Sequence, residues 1–71
     1  FNAAKKYFQK AIKIKPSHAN AHFNLALLYE KQGDRSSAIK HYKEALRYYR
    51  RPNRFQYEAL KRLRRLQKTA P

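Results

Sequence analysis

The fold of this chain is decided by residues 19–45, which read ANAHFNLALLYEKQGDRSSAIKHYKEA. This stretch holds the chain's only glycine, Gly33, between two amphipathic segments. Apolar residues recur at helical spacing in both segments: Leu25, Ala26 and Tyr29 before the glycine, and Ala38, Tyr42 and Ala45 after it. The pattern predicts two antiparallel helices that pack closely through their small residues.

The composition of the whole chain also indicates an all-α protein. Its 71 residues include one glycine and three prolines, and abundant Ala, Leu, Lys and Arg favour helices. This length gives at most one small domain, near the lower limit for a self-sufficient core. The absence of cysteine excludes disulfides and thiolate metal sites. The longest apolar run, residues 25–29, is far shorter than the roughly 20 residues that a membrane span needs.

Prolines, the glycine and polar capping residues divide the chain into four predicted helices. These are residues 1–15, a second helix from the turn at 16–17 to residue 32, a third from 35 to 49 or 51, and a fourth at 54–68. Their expected capping residues are Ser17, Asp34 and Asn53, the last paired with Gln56 in a pattern that resembles a capping box. Residues 68–71 are expected to fray.

The chain also repeats itself at an offset of 34 residues. Similar residues recur at this offset: Ala4 and Ala38, Lys6 and Lys40, Phe8 and Tyr42, Ala11 and Ala45, and Ile12 and Leu46. A fixed offset of this length is the signature of a helical repeat.

Residues 1–50 resemble the tetratricopeptide repeat (TPR) family, whose unit is a helix–turn–helix. The resemblance is carried by Leu25, Ala26, Tyr29, Gly33, Asp34, Ala38, Tyr42 and Ala45, and in the preceding unit by Ala4, Phe8, Ala11 and Pro16. It implies an all-α solenoid fragment of about four antiparallel helices in a right-handed superhelix, ending in a C-terminal capping helix. His22 stands where the family prefers tryptophan. The closing proline falls at Pro52 instead of position 50, which implies a longer third helix or a wider turn.

The chain is then one TPR-like domain over residues 1–71. Residues 1–16 form the second helix of a truncated repeat, residues 17–52 a complete repeat, and residues 53–71 the capping helix and tail. Solenoid units bury their apolar faces against neighbours, and about three are needed for independent stability. We therefore expect the chain to stack on further repeats of a longer array or to self-associate.

The charge of the chain favours an anionic partner. Eighteen Lys and Arg against four acids give a formal net charge of +14. The net charge is +5 for residues 1–18, −1 for 19–34, +5 for 35–51 and +5 for 52–71. Such a balance suits nucleic acid or an acidic protein. It suits a membrane surface less well, because the apolar faces are needed for packing.

No catalytic or cofactor site is expected. The four acids lie on different helices or caps, and the chain has no cysteine nucleophile and no phosphate-binding glycine loop. His18 and His22, four residues apart, match the spacing of two metal ligands. No third ligand accompanies them, and the alternative places His18 in a turn and His22 at the helix seam.

The TPR resemblance implies a concave groove along the first helices of the repeats. The candidate peptide-binding residues in it are Asn20, Phe23, Asn24, Leu27, Arg54 and Tyr57. Family members often place at Asn24 an asparagine that binds the backbone or terminal carboxylate of a ligand. Arg54 matches one position of a carboxylate clamp, but Glu58 occupies the next, so a full clamp is not expected. For Phe23, the alternative is packing against the next helix.

A second candidate surface lies on the last predicted helix. At about 100° per residue, four cations share one side and are candidates for anion or nucleic-acid binding: Lys61, Arg64, Arg65 and Lys68. The alternative is a solubilising face. The leading function is a non-catalytic scaffold that binds a peptide or helix of another protein in the groove. The second is sequence-tolerant binding of RNA or an acidic protein surface through the basic convex and C-terminal faces.

Overall fold

The computed structural model describes residues 2–68, which form four α-helices and no strands. The helices are α1 (Asn2–Ile14), α2 (Ala19–Lys31), α3 (Arg35–Tyr48) and α4 (Arg54–Lys68). The Cα atoms extend over 35 × 30 × 15 Å, so the molecule is about two packed helices thick. The expected start of the first helix at Phe1 and the fraying of residues 69–71 lie outside the described residues.

Two of the three predicted helix caps are confirmed. The Asp34 carboxylate accepts a hydrogen bond from the Ser37 backbone N–H at 3.2 Å, and the Asn53 side-chain oxygen accepts from Gln56 N–H at 2.7 Å. Each satisfies a backbone donor that the first turn of a helix leaves free.

The expected cap Ser17 is wrong. His18 caps α2, because its Nδ1 atom accepts from the Ala21 backbone N–H at 3.2 Å. Residues 16–17 form the turn after α1, so α2 begins at Ala19, two residues after Ser17.

Gly33 forms the turn that follows the end of α2. Its φ of +83° lies in the left-handed region. The N–H of Asp34 donates to the Tyr29 carbonyl at 2.9 Å, and the N–H of Gly33 donates to the Glu30 carbonyl at 3.1 Å. This pair of bonds defines a Schellman motif, in which glycine avoids the steric cost of a Cβ atom. The tight turn directs α3 back along α2.

The displaced proline is accommodated by a wider turn rather than by a longer helix. α3 ends at Tyr48, short of the predicted end at residue 49 or 51, because Tyr49 takes an extended backbone with φ −70° and ψ 121°. Residues 49–53 then join α3 to α4, whereas residues 15–18 join α1 to α2. Pro52 disfavours the helical region for Arg51, which keeps α3 from continuing to residue 51.

The core lies between α2, α3 and α4. Its fully buried small residues and aromatic ring include Ala26, Ala38, Tyr42, Ala45 and Ala59. Alanine at these positions lets the helix backbones approach closely around the Tyr42 ring. On α4, Leu63 is also buried, and Leu66 packs against the same cluster. α1 packs against α2 and contributes no fully buried residue.

α2 and α4 lie side by side and run in the same direction. Near their beginnings the rings of Phe23 and Phe55 are 5.7 Å apart. Near their ends Glu30 contacts Arg65 at 2.9 Å. α3 runs antiparallel to α2, since Asn20 meets Tyr49 and Glu30 meets Tyr42. α2 and α4 therefore form one layer, as the first helices of successive units do in a helix–turn–helix array.

Candidate interaction surface

Three of the predicted groove residues share one side of α2. Asn20, Asn24 and Leu27 are spaced i, i+4 and i+7, and we call them the α2 stripe. Leu27 is half-buried and also packs on the core. Asn24 is half-buried, its amide makes no side-chain hydrogen bond within the described chain, and neither of its polar atoms is sealed from solvent. The Asn24 amide is therefore available to a ligand.

Asn20 has a structural partner. Its side-chain oxygen accepts a hydrogen bond from the Tyr49 hydroxyl at 2.7 Å. Burial raises the pKa of Tyr49, which keeps the hydroxyl protonated and able to donate. Asn20 and Tyr49 line an open depression of about 490 Å³ at the end of the bundle where the α1–α2 turn meets the start of α4. We call it the loop-end depression. Its other lining residues are Lys15, Ser17, His18, Ala19, Asn53 and Phe55.

The prediction of Phe23 as an exposed groove residue is wrong. Its side chain is only 6% exposed and makes edge-on ring contacts with Tyr42 at 5.9 Å and Phe55 at 5.7 Å. α4 covers the position that the sequence assigned to a ligand. The alternative interpretation, packing against the next helix, is the observed one.

Tyr57 joins the predicted basic cluster instead of the α2 stripe. It is 69% exposed and lies in a depression of about 380 Å³ on the outer side of α4. This α4 face consists of Tyr57, Leu60, Lys61, Arg64, Arg65 and Lys68. The structure thus brings together the four predicted cations and an exposed tyrosine, but it does not place Tyr57 in one cavity with Asn24. Arg54 is exposed at the start of α4 and lines neither depression.

Glu30 connects three helices, and sequence reasoning missed this role. Its carboxylate accepts from the Tyr42 hydroxyl at 2.8 Å, from Arg65 at 2.9 Å and from Arg62 at 3.3 Å. Arg62 also binds Glu58 at 3.0 Å. Burial raises the pKa of Glu30, but the donated hydrogen bonds and the positive charge of Arg62 outweigh it, so its pKa is lowered overall. Arg65, predicted as a free anion-binding cation, is therefore already paired.

His22 and His41 pack against each other, whereas His18 caps α2. His22 is 5% exposed, and its Nε2–H donates to the Pro16 carbonyl at 2.9 Å. Its Nδ1 is then the acceptor for His41 Nδ1–H at 3.1 Å. His22 also stacks on Tyr48 at 5.7 Å, and His41 stacks on Tyr29 at 5.5 Å. Within the described part of the chain, no three potential metal ligands cluster.

The positive charge is almost entirely unneutralised inside the molecule. All 18 Lys and Arg lie within residues 2–68, and Arg62 and Arg65 alone make ion pairs, which leaves 16 without one. Exposed cations form two lines at helical spacing: Lys6, Lys10 and Lys13 on α1, and Lys40, Lys43 and Arg47 on α3. None of the helices between residues 2 and 68 has the length and apolar content to cross a bilayer.

Two family models match the chain. One, described as tetratricopeptide repeat, matches residues 19–52, and the other, described as TPR repeat, matches residues 1–33. Among curated proteins, no sequence matches the chain significantly. The two matches cover the helical pairs that the structure describes as α1–α2 and α2–α3. The chain therefore belongs to the tetratricopeptide repeat family.

Proposed function

We propose that this chain is a non-catalytic scaffold that holds a segment of a partner protein against the α2 stripe. TPR domains generally mediate protein–protein interactions, and the family is typically non-catalytic. The roles of the four acidic side chains support the non-catalytic part of this proposal. Three of them have structural tasks: Glu30 and Glu58 pair with arginines, and Asp34 caps α3.

The observation that carries the proposal is that the Asn24 amide is half-buried and makes no side-chain hydrogen bond within the described chain. A half-buried amide without an internal partner costs little while water reaches it. When an extended peptide backbone lies beside it, the amide N–H₂ group gains a carbonyl acceptor and the amide oxygen gains an N–H donor. Asn20 retains its amide N–H₂ group, since only its oxygen is used by Tyr49. Leu27, one turn beyond Asn24, supplies apolar contact for the same segment.

The α4 face supplies a second contact zone for a larger partner. Exposed Tyr57 and Leu60 lie among the cations of that face. An exposed aromatic ring beside cations is the composition of an interaction hot spot rather than of a purely solubilising surface. A partner segment with an apolar anchor and flanking acids has the matching chemistry.

The experiment that tests the α2 stripe uses peptides selected from a random library displayed on phage. Binding of the selected peptide is measured by fluorescence anisotropy for the wild-type chain, Asn24→Ala and Lys43→Ala. Lys43 is exposed on α3 and serves as the control. Asn24→Ala is expected to weaken binding about tenfold, because one or two hydrogen bonds are lost. Equal affinities of the two variants would contradict the proposal, and thermal melts verify that both remain folded.

A second candidate function is sequence-tolerant binding of RNA or an acidic protein surface through the convex and C-terminal faces. The observation that favours it is the set of 16 cations that make no ion pair within residues 2–68. Such binding releases counterions, so the affinity for an oligouridine should fall steeply between about 0.05 and 0.2 M salt. No detectable binding at the lower salt concentration removes RNA from consideration.

A further inference from the structure

We propose that a pocket between the α1–α2 turn and the end of α3 binds a phosphate monoester carried by a phosphorylated side chain of the partner protein. The pocket has a volume of about 380 Å³ and is lined by Lys15, Ser17, Arg47, Tyr48 and Arg50. We call it the phosphate pocket. The inference rests on the proposed function, because the phosphate belongs to the bound protein segment.

The charge of the phosphate pocket suits a dianion. Lys15 comes from the α1–α2 turn, Arg47 from the last turn of α3 and Arg50 from the connection between α3 and α4, so cations approach from separate segments. None of the three forms an ion pair within residues 2–68, and none of the lining residues is acidic. Arginine forks and a serine hydroxyl are suitable donors for phosphate oxygens. A phosphomonoester carries nearly two negative charges, so three cations attract it more strongly than they attract a singly charged group.

The walls of the phosphate pocket are held in place by His22. This buried side chain donates to the Pro16 carbonyl in the α1–α2 turn at 2.9 Å. The same ring stacks on Tyr48 of α3 at 5.7 Å. One residue of α2 therefore holds both walls, the backbone segments that carry Lys15 and Arg47, in place before any ligand arrives. Such pre-organisation lowers the entropic cost of binding.

The aromatic ring in the phosphate pocket favours a phosphorylated side chain over RNA. Tyr48 already stacks on His22, and the Arg47 guanidinium lies over its ring at 5.7 Å. The ring is therefore engaged by protein groups, whereas non-specific binding of single-stranded RNA relies on aromatic rings that stack with bases. Recognition in this pocket depends on charge and hydrogen bonds to a single compact group.

The pocket also lies on the path of the proposed partner segment. Lys15 and Ser17 line both the phosphate pocket and the loop-end depression, and Asn20 of the α2 stripe lines that depression. A segment that runs along Asn24 and Asn20 therefore reaches Lys15 beside the beginning of α2. A phosphorylated residue at that point of the segment meets the three cations.

The test is an amide NMR titration of the 71-residue chain at about 0.15 M salt, where exposed charges are largely screened. The probes are acetyl-Gly-phosphoSer-Gly-amide, its unphosphorylated form, inorganic phosphate and an oligouridine. The pocket variant is Arg47→Gln/Arg50→Gln. The control variant, Lys10→Gln/Lys43→Gln, loses the same charge from exposed sites on α1 and α3. Lys15→Gln provides a single-site variant with the least structural change.

The proposal predicts saturable shifts of amides 15, 17–19 and 47–50 with the phosphotripeptide and none with its unphosphorylated form. The pocket variant should bind about tenfold more weakly, Lys15→Gln several-fold more weakly, and the control variant within about twofold of wild type. Equal weakening in the pocket and control variants overturns the pocket. Inorganic phosphate binding as tightly as the phosphotripeptide overturns the assignment to a partner's side chain.

An oligouridine that shifts these amides while the phosphotripeptide does not also overturns the proposal, since the site then takes nucleic acid. Failure of the pocket leaves the library-peptide result for Asn24→Ala unchanged. If the α2 stripe does not bind the segment, Asn24→Ala and Lys43→Ala instead show equal affinities for the library peptide. The two proposals are therefore refuted by different measurements.

Discussion

Replacing Glu30 with glutamine removes a single charge from the contact between α2, α3 and α4 while keeping the shape of the side chain. Glu30 has a lowered pKa and is ionised at neutral pH. The substitution weakens three hydrogen bonds at once, from Tyr42, Arg62 and Arg65. The amide of glutamine cannot accept on both sides as a carboxylate does. Part of the network is then left without a partner.

The expected loss in the free energy of unfolding is about 2 kcal/mol. The bond from the fully buried Tyr42 to the carboxylate contributes about 1 kcal/mol more than a neutral bond would. The arginine side chains are 31% and 61% exposed, so each ion pair is screened and contributes about 0.2–1 kcal/mol. For a domain of this size, a loss of about 2 kcal/mol lowers Tm by about 10 °C.

Urea unfolding followed by helical circular dichroism measures this loss. Glu44→Gln is the matched control, because Glu44 on α3 makes no ion pair in the described chain, and its change should stay below about 0.5 kcal/mol. A double-mutant cycle between Glu30→Gln and Arg65→Gln should show coupling of about 0.5 kcal/mol or more. If Glu30→Gln costs no more than Glu44→Gln, the three-helix network does not stabilise the fold.

Three other substitutions or conditions test the remaining structure by the same unfolding assay. Phe23→Ala should cost about 3 kcal/mol because it empties a core position; a cost below about 1 kcal/mol would contradict its burial. Gly33→Ala should cost about 1 kcal/mol because of its positive φ, and an unchanged stability would refute the left-handed turn. Burial, followed by nearby positive charge, lowers the pKa of His41. The unfolded chain therefore takes up the proton first, and stability should fall as the pH drops below about 6.5. The His41→Phe variant should lose this slope, and a slope that persists contradicts the assignment.

The repeat and its core could be predicted from the sequence because their signals are local. Ala38, Tyr42 and Ala45 recur at helical spacing on one face of α3, and all three are fully buried. The role of Gly33 follows from its freedom to adopt positive φ, and the Asp34 cap from its side-chain acceptor. Each of these depends on neighbours within a few residues along the chain.

The features that the sequence did not reveal depend on which helix lies next to which. Phe23 shares a helical face with Asn20, and only the packing of Phe55 shows that α4 covers the phenylalanine. Glu30 finds its partners 12, 32 and 35 residues away, and no spacing within α2 indicates them. The separation of Tyr57 from Asn24 follows the same logic, because it depends on how α4 packs, whereas helical spacing alone already places Tyr57 on one face with Lys61 and Arg64.

The binding face of this scaffold is tested most directly by an amide chemical-shift map of the library-selected peptide on the 71-residue chain. The account predicts that the largest shifts fall on the α2 stripe, at Asn20, Asn24 and Leu27. Shifts confined to the cations of α1 and α3 would contradict it, since the peptide would then bind by charge on the outer surface.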